Sequence, residues 1–263
     1  MIFIDTHAHL YTCFPTDLFL HRSLQNFQKA AGLFGNSSWQ AVLFLLDAPG
    51  TRAFPGKRDE GHGKGWRFIK TREEASVKAE SDSGFPLFLI TGKQVVSKEG
   101  LEVLALGCRE AIPGDLLLEE LIGWIDAVGG IPGAAWGFGK WTGRRGRLLS
   151  EMLSRSLPRR FFLGENGGRP TIFPKPLPIK KAEENGIPVF RGSDPLPLPS
   201  EVCKPGGFGF MIRETLDPFQ PFSHLRELLF RQNAQKVTYG KAAGLVSCLK
   251  NQVKLTVRKG KSS

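Results

Sequence analysis

A chain of 263 residues, 41% of them apolar, is long enough to bury one large core, and α/β barrels of this size commonly fold as one domain. No apolar run of roughly 18 residues or more occurs, which argues against a membrane-spanning helix. The four cysteines, Cys13, Cys108, Cys203 and Cys248, are spread without a close pair, which argues against a zinc ribbon and a disulfide framework.

The net charge of +11 favours anionic partners such as nucleic acid, phosphoesters or acidic lipids without selecting one. Much of it sits in Arg144-Arg145-Gly-Arg147, in Arg159-Arg160 and in the tail beyond Lys250. The start lacks a basic segment, and Asp5 interrupts its apolar run, so a cytoplasmic protein is expected.

Short apolar runs alternate with amphipathic stretches, the pattern of repeated βα units. It predicts strands over 2–4, 41–46, 87–90, 102–106, 131–136, 160–163 and 187–190. Helices are predicted over 18–31, 115–128, 147–156, 179–185, 222–232 and 241–252. Gly129-Gly130 and Gly186 fall where a helix gives way to a strand, as glycine at a helix C-terminus does. Residues 48–65 read as a long, charged loop, and 194–209 as a proline-rich irregular segment. The expected fold is α/β: a distorted (β/α)7-8 TIM-like barrel spanning 1–255 as a single domain, with a solvated basic tail over 256–263.

The chemistry begins at the first strand, which breaks off into Asp5-Thr6-His7-Ala8-His9. Alternate strand residues share a face, so the two imidazoles sit about 6.6 Å apart along one side. Both can reach a single divalent cation. Barrels carry their working residues at the C-terminal ends of strands. The candidates there are Thr91 to Gln94, the stretch from Trp136 to Lys140, Glu165 with Asn166 and Arg169, and Arg191 to Asp194.

Asp194 follows the last barrel strand, which closure sets beside the first, so it can share the metal of His7 and His9. A metal lowers the pKa of its water towards about 7, and Asp194 can accept the proton. Ser193-Asp194-Pro195 also suits an ordinary turn. Glu165, Asn166 and Arg169 offer a carboxylate, an amide and a guanidinium in one loop, which could be a cradle or a glycine-rich turn. Glu102 either points into the barrel as a ligand or outward from a strand edge. Gly137-Phe-Gly-Lys140-Trp-Thr-Gly143 precedes a helix, where backbone N–H groups can hold an anion, but its spacing fits no dinucleotide motif.

Asp5-Thr-His-Ala-His-Leu10 resembles the opening motif of amidohydrolase-type metal-dependent hydrolases. The run from Ile90 through Gln94, Glu102 and Gly107 is similar to a segment of PHP (polymerase and histidinol phosphatase) domains. Gly129-Gly-Ile-Pro-Gly-Ala-Ala-Trp136 and Gly192-Ser-Asp194 follow in the family's order. The resemblance implies a distorted seven-stranded barrel that holds metal and acts on phosphoesters. Gln94 stands where that family has Glu, while Glu102 and Trp136 stand where it has His. Asp194-Pro-Leu196 replaces its final Asp-x-His. These departures imply one metal or none rather than three.

The leading expectation is therefore a metal-dependent hydrolase-like protein acting on a phosphoester or other small anionic substrate. His7, His9, Glu102 and Asp194 would hold one Zn, Mn or Fe ion. Asp194, Glu165 and Lys140 would take catalytic roles, and Arg169, Arg191, Asn166 and Gln94 would bind substrate. The alternative is a non-catalytic anion-binding protein on the same barrel. Nucleic acid is a less favoured partner because no strand interleaves aromatic and basic residues, and no membrane partner is expected.

Overall fold

Residues 1–35, 38–52, 54, 65–137, 140–155, 160–167, 174–231 and 235–241 are described by a computed structural model. The chain runs β1 (Ile2–Ala8), α1 (Thr16–Leu33), β2 (Gln40–Asp47), β3 (Trp66–Lys70), β4 (Ser76–Ser81), β5 (Pro86–Val96) and β6 (Glu102–Leu106). It continues with α2 (Leu118–Ala127), β7 (Ile131–Ala135), α3 (Gly143–Met152), β8 (Phe162–Asn166), α4 (Leu177–Glu184) and β9 (Val189–Gly192). A 3-10 helix (Pro199–Cys203), β10 (Gly209–Ile212), α5 (Pro221–Leu229) and β11 (Lys236–Tyr239) complete it.

The strands form one sheet in the order β11-β10-β1-β2-β5-β6-β7-β8-β9, with the β3–β4 hairpin joined to β5. Strands β1, β2 and β5 run parallel, as do β7, β8 and β9. Between these groups β6 runs antiparallel to both neighbours. The end of β9 returns to β1, where Asp194 N donates to His7 O at 2.7 Å. The sheet is thus a nearly closed barrel, the distorted α/β barrel the sequence predicts.

The seven predicted strands all form. What the pattern did not reveal is the β3–β4 hairpin, β10, β11, and the length of β5. The strand expected to end at Ile90 continues through Val96. Eleven residues let β5 pair with β4 along its first half and with β6 along its second. Strand β2 is buried along nearly its whole length, as a parallel strand covered on both faces must be.

Val42, Phe44 and Leu46 of β2 face the barrel interior with Phe88, Ile90, Leu104, Leu106, Phe162 and Phe190. Its other face packs beneath α1, where Phe19, Leu20, Leu24 and Phe27 recur at helical spacing. Helix α5 plugs one end of the barrel: Phe222, Leu225 and Leu228 join the interior cluster. The Phe222 ring lies against Gly107, at φ +74°, filling the space a Cβ would need.

Among the described residues, no helix is long and apolar enough to cross a membrane. The helix predicted over 241–252 and the tail over 256–263 lie outside the described residues, except for Lys241, as does most of the 48–65 loop.

Candidate metal centre

The site lies at the barrel end opposite α5, and a break in β1 creates it. Ile2 and Ile4 point into the barrel while Phe3 points out. Simple alternation would send Thr6 and Ala8 inward and both histidines outward. The pairing with β2 shifts between Asp5 and Ala8: Asp5 faces Leu43, but Ala8 faces Leu45. One extra residue in β1 reverses its parity, as a bulge does. Ala8 and Leu10 then join the outer cluster, and His7 and His9 turn inward.

Asp5 fixes the break. Buried completely, it accepts backbone hydrogen bonds from His7 (3.1 Å), Ser193 (2.9 Å) and Gly206 (2.8 Å), tying together three segments. Loss of water pushes its carboxyl up to about 6, against the pull of those donors.

Inside, His7 Nε2 and His9 Nε2 are 3.0 Å apart. Gln94 Oε1 lies 2.7 Å from the first and 3.0 Å from the second. Asp194 Oδ1 is 3.4 Å from His7 Nε2 and 3.6 Å from His9 Nε2. Leu46 O can only accept, so His9 Nδ1, at 2.9 Å, carries the proton. Burial holds the His9 pKa down to about 4, so near neutral pH its Nε2 presents a lone pair to the cluster.

These atoms fit a cation. A metal roughly 2.0–2.1 Å from each ligand sets neighbouring ligand atoms roughly 3.0–3.4 Å apart. The separations among His7, His9, Gln94 and Asp194 cluster around that range. Among the described residues these two histidines and Asp194 are a set of ionisable side chains able to share an ion. Asn166 holds Asp194 in place: its Nδ2 donates to Asp194 Oδ2 at 2.6 Å and to Trp136 O at 2.9 Å. Asp194 itself takes up a left-handed backbone, φ 44°.

The other predicted site residues divide by strand parity. Gln94 and Asn166 follow inward positions of β5 and β8 and reach the cluster; Gln94 stands within it as a candidate oxygen ligand. Glu102 also reaches this rim, because antiparallel β6 begins where its neighbours end. Its carboxylate, however, pairs with Lys140. That commits both groups to each other rather than to the ion.

Glu165 and Arg191 occupy directly opposed, outward positions on β8 and β9 and pair at 2.9 Å, with Arg191 over the Phe208 ring. They are not brought to the cluster. Arg169 lies outside the described residues, as do Phe138 and Gly139 of the proposed anion loop. Two roles are not legible in the sequence: Leu46 O orients His9, and Asp5 sets the bulge. No local pattern marks a backbone carbonyl as a partner.

No family model matches this chain, and no curated protein matches it. Its fold is similar to that of PsfC from Pseudomonas syringae PB-5123, at 13% identity and a TM-score of 0.54, covering 99% of this chain and 98% of that one. A second structure, the lesion-specific endonuclease PfuEndoQ from Pyrococcus furiosus, has 13% identity and a TM-score of 0.43. That match covers 89% of this chain and 57% of the endonuclease.

Proposed function

We propose that the chain is a metal-dependent hydrolase-like protein on a PHP-type barrel, acting on a phosphoester or another small anionic substrate. The convergence of His7 Nε2, His9 Nε2, Gln94 Oε1 and Asp194 Oδ1 on one point inside the barrel rim carries this reading. A bound Zn, Mn or Fe ion would supply Lewis acidity at the substrate oxygen.

The chain's own groups supply orientation and charge. Leu46 O fixes His9 in the tautomer a ligand needs, and Asn166 fixes the Asp194 carboxylate. Arg52, Lys93, Arg109 and Asp47 line a small cleft next to Leu46; Asp47 pairs with Lys93 and Glu74 with Arg109, which leaves Arg52 as the cation there without a carboxylate partner among the described residues. Asp194 is the cluster's one carboxylate. Its single negative charge suits one divalent ion and does not suit two.

The sparse negative charge around the cluster favours a second reading, an anion binder without turnover. Gln94 is a neutral amide, and Glu102 is neutralised by Lys140, so the charge that activates a nucleophile is sparse.

Elemental analysis of the purified protein beside the His7→Ala/His9→Ala double variant tests the metal. About one metal per chain, absent from the variant, is expected. Ligand linkage then predicts about 2.7 kcal/mol of added stability at a hundredfold excess of free metal over its Kd. No metal after reconstitution with Zn and with Mn would overturn the hydrolase reading. A screen of phosphoesters with the loaded protein separates enzyme from binder.

A further inference from the structure

A second, larger concavity lies on the outer side of the barrel between α3 and α4, with a volume of about 720 Å³. Small-molecule sites fall in this range, roughly 300–1,000 Å³, with apolar walls and a few polar groups. Its walls fit that description: Trp136 and Trp141 supply aromatic faces, and Pro176 and Pro178 rigid apolar ones. Prolines and tryptophans lose little side-chain freedom on binding, so such walls are preorganised.

Two wall residues carry polar atoms that the protein itself leaves unsatisfied. Trp141 Nε1 and Ser150 Oγ have no hydrogen-bond partner among the described residues, although Trp141 is 7% exposed and Ser150 5%. Both atoms are sealed beneath the cavity surface, so the groups a ligand would meet are the charged side chains at its edge. Arg147 and Lys181 also line it; Lys181 Nζ donates to Ser150 O at 3.4 Å, and neither side chain pairs with a carboxylate among the described residues. Glu151 lines it as well, which leaves these side chains with one excess positive charge.

We infer that this cavity is a binding site for a small aromatic anion: a flat ring laid against the apolar wall that Trp136, Trp141 and the prolines supply, its acidic group met by Arg147 and Lys181. The site needs no metal, so it stands or falls independently of the hydrolase reading. It is nonetheless close to the metal cluster. Trp136 lines the cavity, and its carbonyl accepts from the Asn166 amide that holds Asp194.

The test uses two fluorescent probes of similar shape on metal-free protein: 8-anilinonaphthalene-1-sulfonate, which carries an anion, and N-phenyl-1-naphthylamine, which does not. Saturable one-site binding of the sulfonate is expected, with quenching of tryptophan emission. Arg147→Gln/Lys181→Gln should weaken the sulfonate about tenfold, as loss of charge-assisted contacts does, and leave the neutral probe within about twofold. Leu177→Trp, at an exposed wall position, should exclude both probes. Binding of the sulfonate unchanged by either set of substitutions, or no binding at all, would overturn the assignment. Equal weakening of both probes by the charge substitutions would overturn its anionic part. The double Gln variant changes no buried core side chain, so the test survives a folding defect in Leu177→Trp.

Discussion

Gly192→Ala is the sharpest test of how the barrel makes its site. A Cβ at residue 192 would stand 2.4 Å from both His7 N and His7 Cβ, and 2.8 Å from His7 Cα. Ordinary carbon contacts need about 3.5 Å or more, so β9 must retreat from β1 by about 1 Å. His7 is backbone on a buried strand, so it cannot swing aside. The seam that would open is held by Asp194 N to His7 O at 2.7 Å and by Ser193 N to Asp5 Oδ1 at 2.9 Å. Stretched by about 1 Å, both bonds exceed hydrogen-bonding distance. Losing one neutral bond and one to a carboxylate costs about 3 kcal/mol. The same movement displaces Asp194 from His7, and metal sites tolerate only about 0.2 Å, so metal affinity should fall at least tenfold. Urea unfolding in chelator reads the first effect, and competition with a fluorescent chelator reads the second. Gly123→Ala is the control: this exposed glycine in α2 has nothing within 4 Å of its added Cβ, and should gain up to about 1 kcal/mol. A Gly192→Ala protein within about 0.5 kcal/mol of the parent, with its metal retained, would refute the closure of β9 on β1.

Removing the Asn166 amide, as Asn166→Ala, should weaken metal binding by about 10–100-fold while leaving one metal per chain at saturation, measured by chelator competition. Asp5 supplies a pH signature. Its folded pKa of about 6 lies above the ordinary 3.8, so its contribution to stability is full below about pH 4 and is lost as pH rises through 6. Urea unfolding of metal-free protein at pH 4 and 7.5 should therefore shift the balance between wild type and Asp5→Asn by about 2.4 kcal/mol towards the variant at the higher pH; no shift would mean that Asp5 is not desolvated. Cys108 is buried, and loss of water pushes its thiol up to about 11, so at pH 8 only about one molecule in a thousand carries the thiolate. Mass spectrometry after brief iodoacetamide treatment should find exposed Cys203 modified while Cys108 is untouched, with Cys108 labelling rising as the pH approaches 11.

Much of this molecule is written locally. The apolar runs at 41–46 and 87–90 specify strands buried on both faces, and the Gly129-Gly130 pair ends a helix where β7 begins, because these signals depend only on near neighbours. The weaker strands escaped for the same reason. Trp66–Lys70 and Ser76–Ser81 mix charged with apolar residues, and Gly209–Ile212 is four residues long. Gly209 even reads as a breaker, yet a Cβ there would meet Ile4 O at 2.1 Å, so only glycine lets β10 lie against β1.

The sequence by itself determined that His7 and His9 share a face, since a period of two needs no partner strand to enforce it. It also determined that an acidic residue, Asp194, follows the last barrel strand. Which face the histidines take was decided only in three dimensions. The bulge in β1 exists because Asp5 is held by Ser193 and Gly206, roughly two hundred residues away, and without it both imidazoles would point outward. Pairing likewise separated the remaining candidates. Antiparallel β6 carried Glu102 to the rim, where Lys140 claimed it, and strand parity turned Glu165 and Arg191 to the outside as each other's partners. A side chain's type is local information, but the atoms it meets depend on register, and long-range hydrogen bonds set the register.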